Sequence, residues 1–235
     1  IVSQYFGAGD RAACAATLYR ALILAAGIGI VLLLLRLPIG QDGFVLAGGT
    51  EPVKEWGMRY FEIRVIAVPV VLATFAINGF FLGTANAIAP LCTSASVSVV
   101  NVAANYALIF GHFGAPALGV EGAAWAAVLA AATGLCLALA ILLVQYRSYL
   151  WQRLPESLLQ TEKLGHLMQT NANLMGRTLC LLFAQFTLLG LVSRMGDAPL
   201  AAHAVVTQLW ALVSYSVDGF AHAGETLVGN ALGAA

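Results

Sequence analysis

Read for apolar and polar positions, the chain is a series of long uncharged runs separated by short polar breaks. Residues 21–35 carry no charge between Arg20 and Arg36. Both arginines can snorkel to the two faces of a hydrocarbon layer about 30 Å thick, so a crossing helix is predicted near 18–38, closed by Pro38. Asp, Glu, Lys and Arg are then absent from Val65 to Val120. At about 1.5 Å per residue that run is too long for one crossing. Breakers divide it at Gly83-Thr84-Ala85-Asn86 up to Pro90, and again at Gly111-His112-Phe113-Gly114-Ala115-Pro116. Spans follow near 60–83, kinked at Pro69, and near 88–110. A fourth, 118–146, begins around Glu121 and ends before Arg147. Two more, 166–192 and 199–228, meet at the short turn from Arg194 to Pro199. The pattern predicts about six transmembrane helices and no strands, an all-α polytopic membrane protein.

Composition narrows the class. Of 235 residues, 60% are hydrophobic and 9% charged, whereas a soluble domain carries about 25% charged residues. Eleven basic residues balance eleven acidic ones, and no basic run of the kind that holds nucleic acid is present. The partner of this surface is the lipid bilayer. Cys14, Cys92, Cys136 and Cys180 stand far apart in apolar or small-residue runs, without metal or redox spacing, and read as small core residues. Residues 147–164 hold three basic and two acidic residues, two aromatics and Pro155. They read as a linker between a domain at 1–146 and another at 165–235. Loops carrying Arg11, Arg147, Arg153 and Lys163 alternate with loops carrying Lys54 and Arg59, which places the first set, linker included, in the cytoplasm.

Candidate chemistry lies in polar residues at bilayer depth, where ionisable groups are costly and mark function by default. In the last span Tyr215, Asp218, His222 and Glu225 recur at spacings of three, four and three, on one helical stripe. A carboxylate–imidazole–carboxylate row can carry protons into a wet cavity, or pack inside a bundle. Arg177, about ten residues into the preceding span, falls at the depth of Asp218, so an Arg177–Asp218 pair is predicted. Asn101 and Asn105 share a face of the third span. Two amides can bind a substrate, line a cation site, or tie helices together. Glu62 and Arg64 read as interface anchors, and Gly79-x-x-x-Gly83 permits close helix contact. His112, His166 and His203 fall near span ends. No HExxH or comparable catalytic spacing occurs, so an enzyme is not expected. Nothing calls for an organic cofactor or a bound metal.

The two ends of the chain are alike. Val2-x-Gln4-x-x-Gly7-Ala8-Gly9 matches Val228-x-Asn230-x-x-Gly233-Ala234-Ala235, 226 positions on. A repeat of that length holds about six helices and implies a parent of roughly 450 residues with twelve spans in two lobes. With VSQYFGAGDR at 2–11, YFEIR at 60–64 and NVAANYALIFG at 101–111, the chain resembles the multidrug and toxic compound extrusion (MATE) family, in particular its DinF branch. LGVEGAAWA at 118–126, GRTL at 176–179 and RMGDAPLAAH at 194–203 continue the likeness, and DGFAHAGETLVGNALGA at 218–234 is its strongest part.

The resemblance implies a twelve-helix, two-lobe transporter, of which this chain would run from the end of helix 2 to the end of helix 8. Residues 1–146 would belong to the amino-terminal lobe, 147–164 to the cytoplasmic bridge, and 165–235 to the start of the carboxy-terminal lobe. It implies an antiporter of amphipathic, often cationic organic compounds, driven by a proton or sodium gradient and working as a monomer in the plasma membrane, the inner membrane of a bacterium. The branch's amino-lobe cation site has an Asn and an Asp four residues apart. Asn101 matches the first, but Asn105 stands at the second, and Ala127 replaces a frequent threonine. Protons are therefore expected to be favoured over sodium. The alternative is a lipid-linked oligosaccharide flippase of the same superfamily, which would place several arginines in the cavity; only Arg64 and Arg177 qualify.

Overall fold

The computed structural model describes residues 1–47, 51–151, 161–193 and 195–234, and every regular element among them is an α-helix. In chain order these are α1 (Val2–Gly7), α2 (Arg11–Leu34), α3 (Arg36–Ala47), α4 (Glu51–Ile66) and α5 (Val68–Gly83). They are followed by α6 (Ile88–Phe110), α7 (Gly119–Gln145), the single turn α8 (Arg147–Leu150), α9 (Thr161–Ser193) and α10 (Asp197–Ala234). Most of the expected linker, residues 152–160, lies outside the described residues.

The third and fourth spans fall where the breakers put them. The first does not. Asp10 caps α2 by accepting the Ala13 amide at 2.9 Å, so the helix starts at Arg11, seven residues earlier than the charge pattern suggested. Arg20 is thereby carried about 14 Å along the helix and is 4% exposed: a buried residue, not an interfacial one. At the other end α2 stops at Leu34 and α3 begins at Arg36. Pro38 then occupies the first turn of α3, where its missing N–H leaves no helical bond unmade, so it opens a helix instead of closing one. The second span is two helices, α4 and α5, bent by 47° around Ala67, with Pro69 in the first turn of α5.

Four helical stretches among the described residues are long and apolar enough to cross a membrane: α2, α6, α7 and Met175–Val192 of α9. The bent pair α4–α5 makes a fifth. The sixth expected span, 199–228, lies within the 38-residue α10.

Residues 1–156 with 229–235 form one compact unit, and residues 157–228 form another. The core of the first joins Cys14 and Leu18 of α2, Ile77, Phe80 and Phe81 of α5, and Ala138 and Leu142 of α7, with Tyr146 at its edge. Small residues set the distances between helices. Gly122 of α7 lies against the backbone of Leu108 in α6, Gly134 against Val97, and Gly29 of α2 against Pro69, each leaving no room for a Cβ. Of the Gly79/Gly83 pair only Gly83 is used, receiving the Val2 side chain; nothing approaches Gly79. The cysteines divide likewise: Cys14 is buried, whereas Cys92, Cys136 and Cys180 are exposed on their helices, because an apolar sequence does not say which helix face meets protein and which meets lipid.

Within this first unit the two similar ends meet. Gly7 lies against the backbone of Asn230 and Gly233 against the backbone of Gln4, and Gly229 faces the Ser3 side chain. Gly7 and Gly233 are equivalent positions of the two segments, as are Gln4 and Asn230, so the contact is reciprocal. The likeness of the ends is thus also a likeness of what they touch.

Candidate functional site

Two polar stripes stand out, one in each unit. On α6 the stripe is Ser94, Ser98, Asn101 and Asn105, whose spacings of four, three and four keep them on one face. The hydroxyls cost little in a helix because they are satisfied locally: Ser98 Oγ donates to the Ser94 carbonyl at 3.0 Å. The Asn105 amide donates to Asn101 Oδ1 at 2.8 Å. This leaves the Asn101 NH2 group and the Asn105 oxygen as the free ends of a half-buried pair, one donor and one acceptor.

The lower part of this stripe opens on a cavity of about 270 Å³ between α5, α6 and α7. Thr74, Asn78, Thr93, Ser94 and Ser98 supply its polar atoms, and Val71, Phe75, Val97 and Ala131 its apolar wall. Thr93 Oγ1 lies 3.1 Å from Asn78 Oδ1 and 2.9 Å from the Pro90 carbonyl, two acceptors for its one hydroxyl proton, while Thr74 Oγ1 donates to the Val70 carbonyl at 2.8 Å. No charged group lines it. Such a wall suits a ligand with one hydrogen-bonding edge and one apolar or aromatic face. Asn101 lies one turn beyond Ser98, so the amide pair continues the cavity's polar side without lining it.

Sequence reading found Asn101 and Asn105 but not Thr74, Asn78, Ser94 or Ser98. Asn78 carried a signal, an amide in the middle of the apolar run FAINGFF. The hydroxyls carried almost none, since serine and threonine are ordinary inside membrane helices.

On α10 the row Tyr215, Asp218, His222 and Glu225 is present as spaced, and all four side chains are exposed. His222 Nδ1 lies 3.5 Å from Glu225 Oε2, an ion pair when the imidazole carries a proton. Asp218 joins neither of them. Nor does it meet Arg177: the predicted Arg177–Asp218 pair does not form. Matching depth is necessary for such a pair, but the two helices must also pack side by side. No residue of Met175–Val192 in α9 is buried, and Arg177 is exposed too.

A third group gathers where α4 meets α7. Arg59 donates to Glu121 at 3.0 Å and to Glu55 at 3.1 Å, and its guanidinium stacks on Trp56 at 5.2 Å. Glu121, expected only to sit near a helix end, therefore ties two helices together.

The family model that matches this chain is MatE, over residues 1–107 and 174–235. DNA damage-inducible protein F of Escherichia coli K12 is 33% identical over 240 residues, which cover all of this chain and 50% of that protein. The probable multidrug resistance protein NorM of Agrobacterium fabrum is 26% identical over 99% of the chain and 50% of its own length. The probable multidrug resistance protein YoeA of Bacillus subtilis is 30% identical over 55% and 28%. The chain thus spans about half the length, or less, of these curated relatives. The match of the MatE model at both ends, together with the helical membrane architecture, shows that this chain belongs to the MatE family of multidrug and toxic compound extrusion transporters.

Proposed function

We propose that this chain works as part of a secondary antiporter that expels amphipathic, cationic organic compounds in exchange for protons, by alternating access. The observation that carries the reading is the pairing, in a MatE chain, of an uncharged amphipathic cavity with a separate row of titratable groups. The cavity walled by Thr74, Asn78, Ser94 and Ser98 offers hydrogen bonds and apolar contact to an organic molecule without binding it so tightly that release stalls. Asp218, His222 and Glu225 exchange protons on α10. Protons rather than sodium fit the amino-terminal stripe, because Asn101 and Asn105 supply amide oxygens and no carboxylate, and a hard cation prefers a charged oxygen among its ligands. We place the transporter in the bacterial inner membrane, as a monomer, with residues 147–164 as the cytoplasmic bridge between its lobes.

The test is dye efflux by the whole protein in proteoliposomes, driven separately by a proton and by a sodium gradient. Asp218→Asn is expected to cut proton-driven efflux about tenfold or more while inserting normally, since an ionisable group in a span is kept for what it does. Unimpaired efflux by that variant overturns the role given to Asp218. The rival reading, a lipid-linked oligosaccharide flippase, requires cationic groups to meet phosphates. The described cavity has none, although Arg177 is left available by the absence of its expected partner.

A further inference from the structure

The turn between α6 and α7 carries an aromatic cluster that neither transport chemistry nor the helical core uses. Gly111 ends α6 with φ +74. The His112 amide returns to the Ala107 carbonyl at 3.1 Å and the Leu118 amide to the Leu108 carbonyl at 2.9 Å, so both ends of the turn are tied to the last turns of α6. Within this fixed turn Phe113 adopts φ +59, a left-handed conformation that bulky residues rarely take. It is 88% exposed. The turn folds back along α6: His112 stacks on Tyr106 at 4.4 Å, and Phe113 stands edge-on to Tyr106 at 6.2 Å. Phe110 is 6.1 Å from the same ring. Tyr106 and Phe110 are themselves exposed. The cluster thus lies as a collar segment along one face of the end of α6, and not as a tip reaching away from it.

The height of that collar can be read from α7. Gly122 packs on Leu108, so neighbouring Glu121, held by Arg59 over Trp56, lies level with the last turns of α6. Charged groups and exposed aromatic rings thus share one level at this hairpin end. Both α6 and α7 are long and apolar enough to cross a membrane. Their common end therefore falls where acyl chains give way to headgroups, the level at which tyrosine is enriched and charged groups first meet water; beside Tyr106, the apolar rings of Phe110 and Phe113 face the acyl side of that boundary.

We infer that Tyr106, Phe110 and Phe113 form an interfacial anchor whose partner is the lipid surface, with Phe113 held in its left-handed conformation so that its ring enters the headgroup–acyl boundary. The occupant is lipid, because the rings are uncharged, exposed and flanked by two membrane spans. The inference does not depend on which compound is transported or on the coupling ion.

The experiment replaces Phe113 by Trp in the whole protein. The added emission, relative to the unsubstituted protein, is read in vesicles of phosphatidylcholine brominated either near the headgroup end or near the methyl end of the acyl chain. The expected result is a roughly twofold loss of the added emission with headgroup-proximal bromine, little loss with methyl-end bromine, and little quenching by aqueous iodide. Phe110→Trp, at a second exposed position of the collar, is expected to repeat the pattern. Quenching by iodide and not by bromolipid would put the turn in water and overturn the anchor. Protection from both quenchers would mean that protein covers the rings, and would overturn it equally.

Discussion

The two units of this chain solve the same problem in opposite ways. In the first, helices bury one another: Cys14, Leu18, Ile77, Phe80 and Phe81 close a core, and polar groups find partners across helices. Thr84 Oγ1 lies 2.9 Å from the Tyr146 hydroxyl, and Asn86 Nδ2 donates to Gln145 Oε1 at 3.1 Å. In the second, the described side chains of α9 and α10 are almost all exposed, apolar and ionisable alike. Water would not tolerate that surface. A bilayer accepts its apolar part, because lipid solvates leucine and phenylalanine as well as a core would and a helix satisfies its own backbone; the ionisable row remains costly there. Packing thus holds the described helices of the first unit together, whereas the described surface of α9 and α10, the titratable row included, is mostly open.

That contrast can be broken or sharpened by substitution. The largest expected effect is in the core: Phe81→Ala should destabilise the protein by about 3–5 kcal/mol, seen as loss of folded protein on heating in detergent. Phe183→Ala, at a ring that is 75% exposed, should stay within about 0.5 kcal/mol. Equal losses at both sites would mean that α9 is packed as tightly as α5. Next come the glycines. Gly122→Leu forces a side chain into the Leu108 backbone and should cost about 1–3 kcal/mol or more, whereas Gly219→Leu meets nothing within 4 Å and should be tolerated in the same assay. Thr84→Val removes a buried hydrogen bond to Tyr146, with an expected loss of about 1 kcal/mol; a neutral result would show that the Tyr146 hydroxyl finds enough in Asn86. The smallest effect belongs to Arg59→Ala. Its ion pairs are exposed and screened, so the thermal midpoint should move little, and less still in high salt.

Which parts were legible in the sequence follows from the same contrast. Where glycine and proline interrupt an apolar run, helix limits can be placed closely: 88–110 was expected and Ile88–Phe110 is observed, and Pro69 sits at the bend. Where an apolar run has no punctuation, they cannot. The break at Leu35 lies in a stretch of leucines, and its one local signal is Pro38, whose ring clashes with the Leu34 carbonyl of a continuous helix. Helix faces were harder still. In lipid the outer and inner sides are both apolar, so the burial of Cys14 and the exposure of Cys136 have no separate signature. Alanine and glycine on α7 are the better guide to the inner side. The row on α10 was legible because ionisable groups are rare in such a helix. The expected salt bridge from Arg177 was not, since depth along two helices says nothing of their lateral distance. The hydroxyl-lined cavity was missed because threonine and serine hide their polarity by bonding to their own backbone.

The reciprocal contact of Gly7 with Asn230 and of Gly233 with Gln4 has a meaning for the order of assembly. It joins positions more than two hundred residues apart, and closing so long a loop carries an entropic cost that local helix pairs do not meet. The contact of α1 with α5 through Val2 and Gly83 closes a much shorter loop and can form before the end of α10 has been made. Its small-residue face must therefore wait, uncovered, through the synthesis and insertion of everything between. Glycine serves the late step by letting the two backbones close on each other directly, with no Cβ at Gly7 or Gly233 to hold them apart.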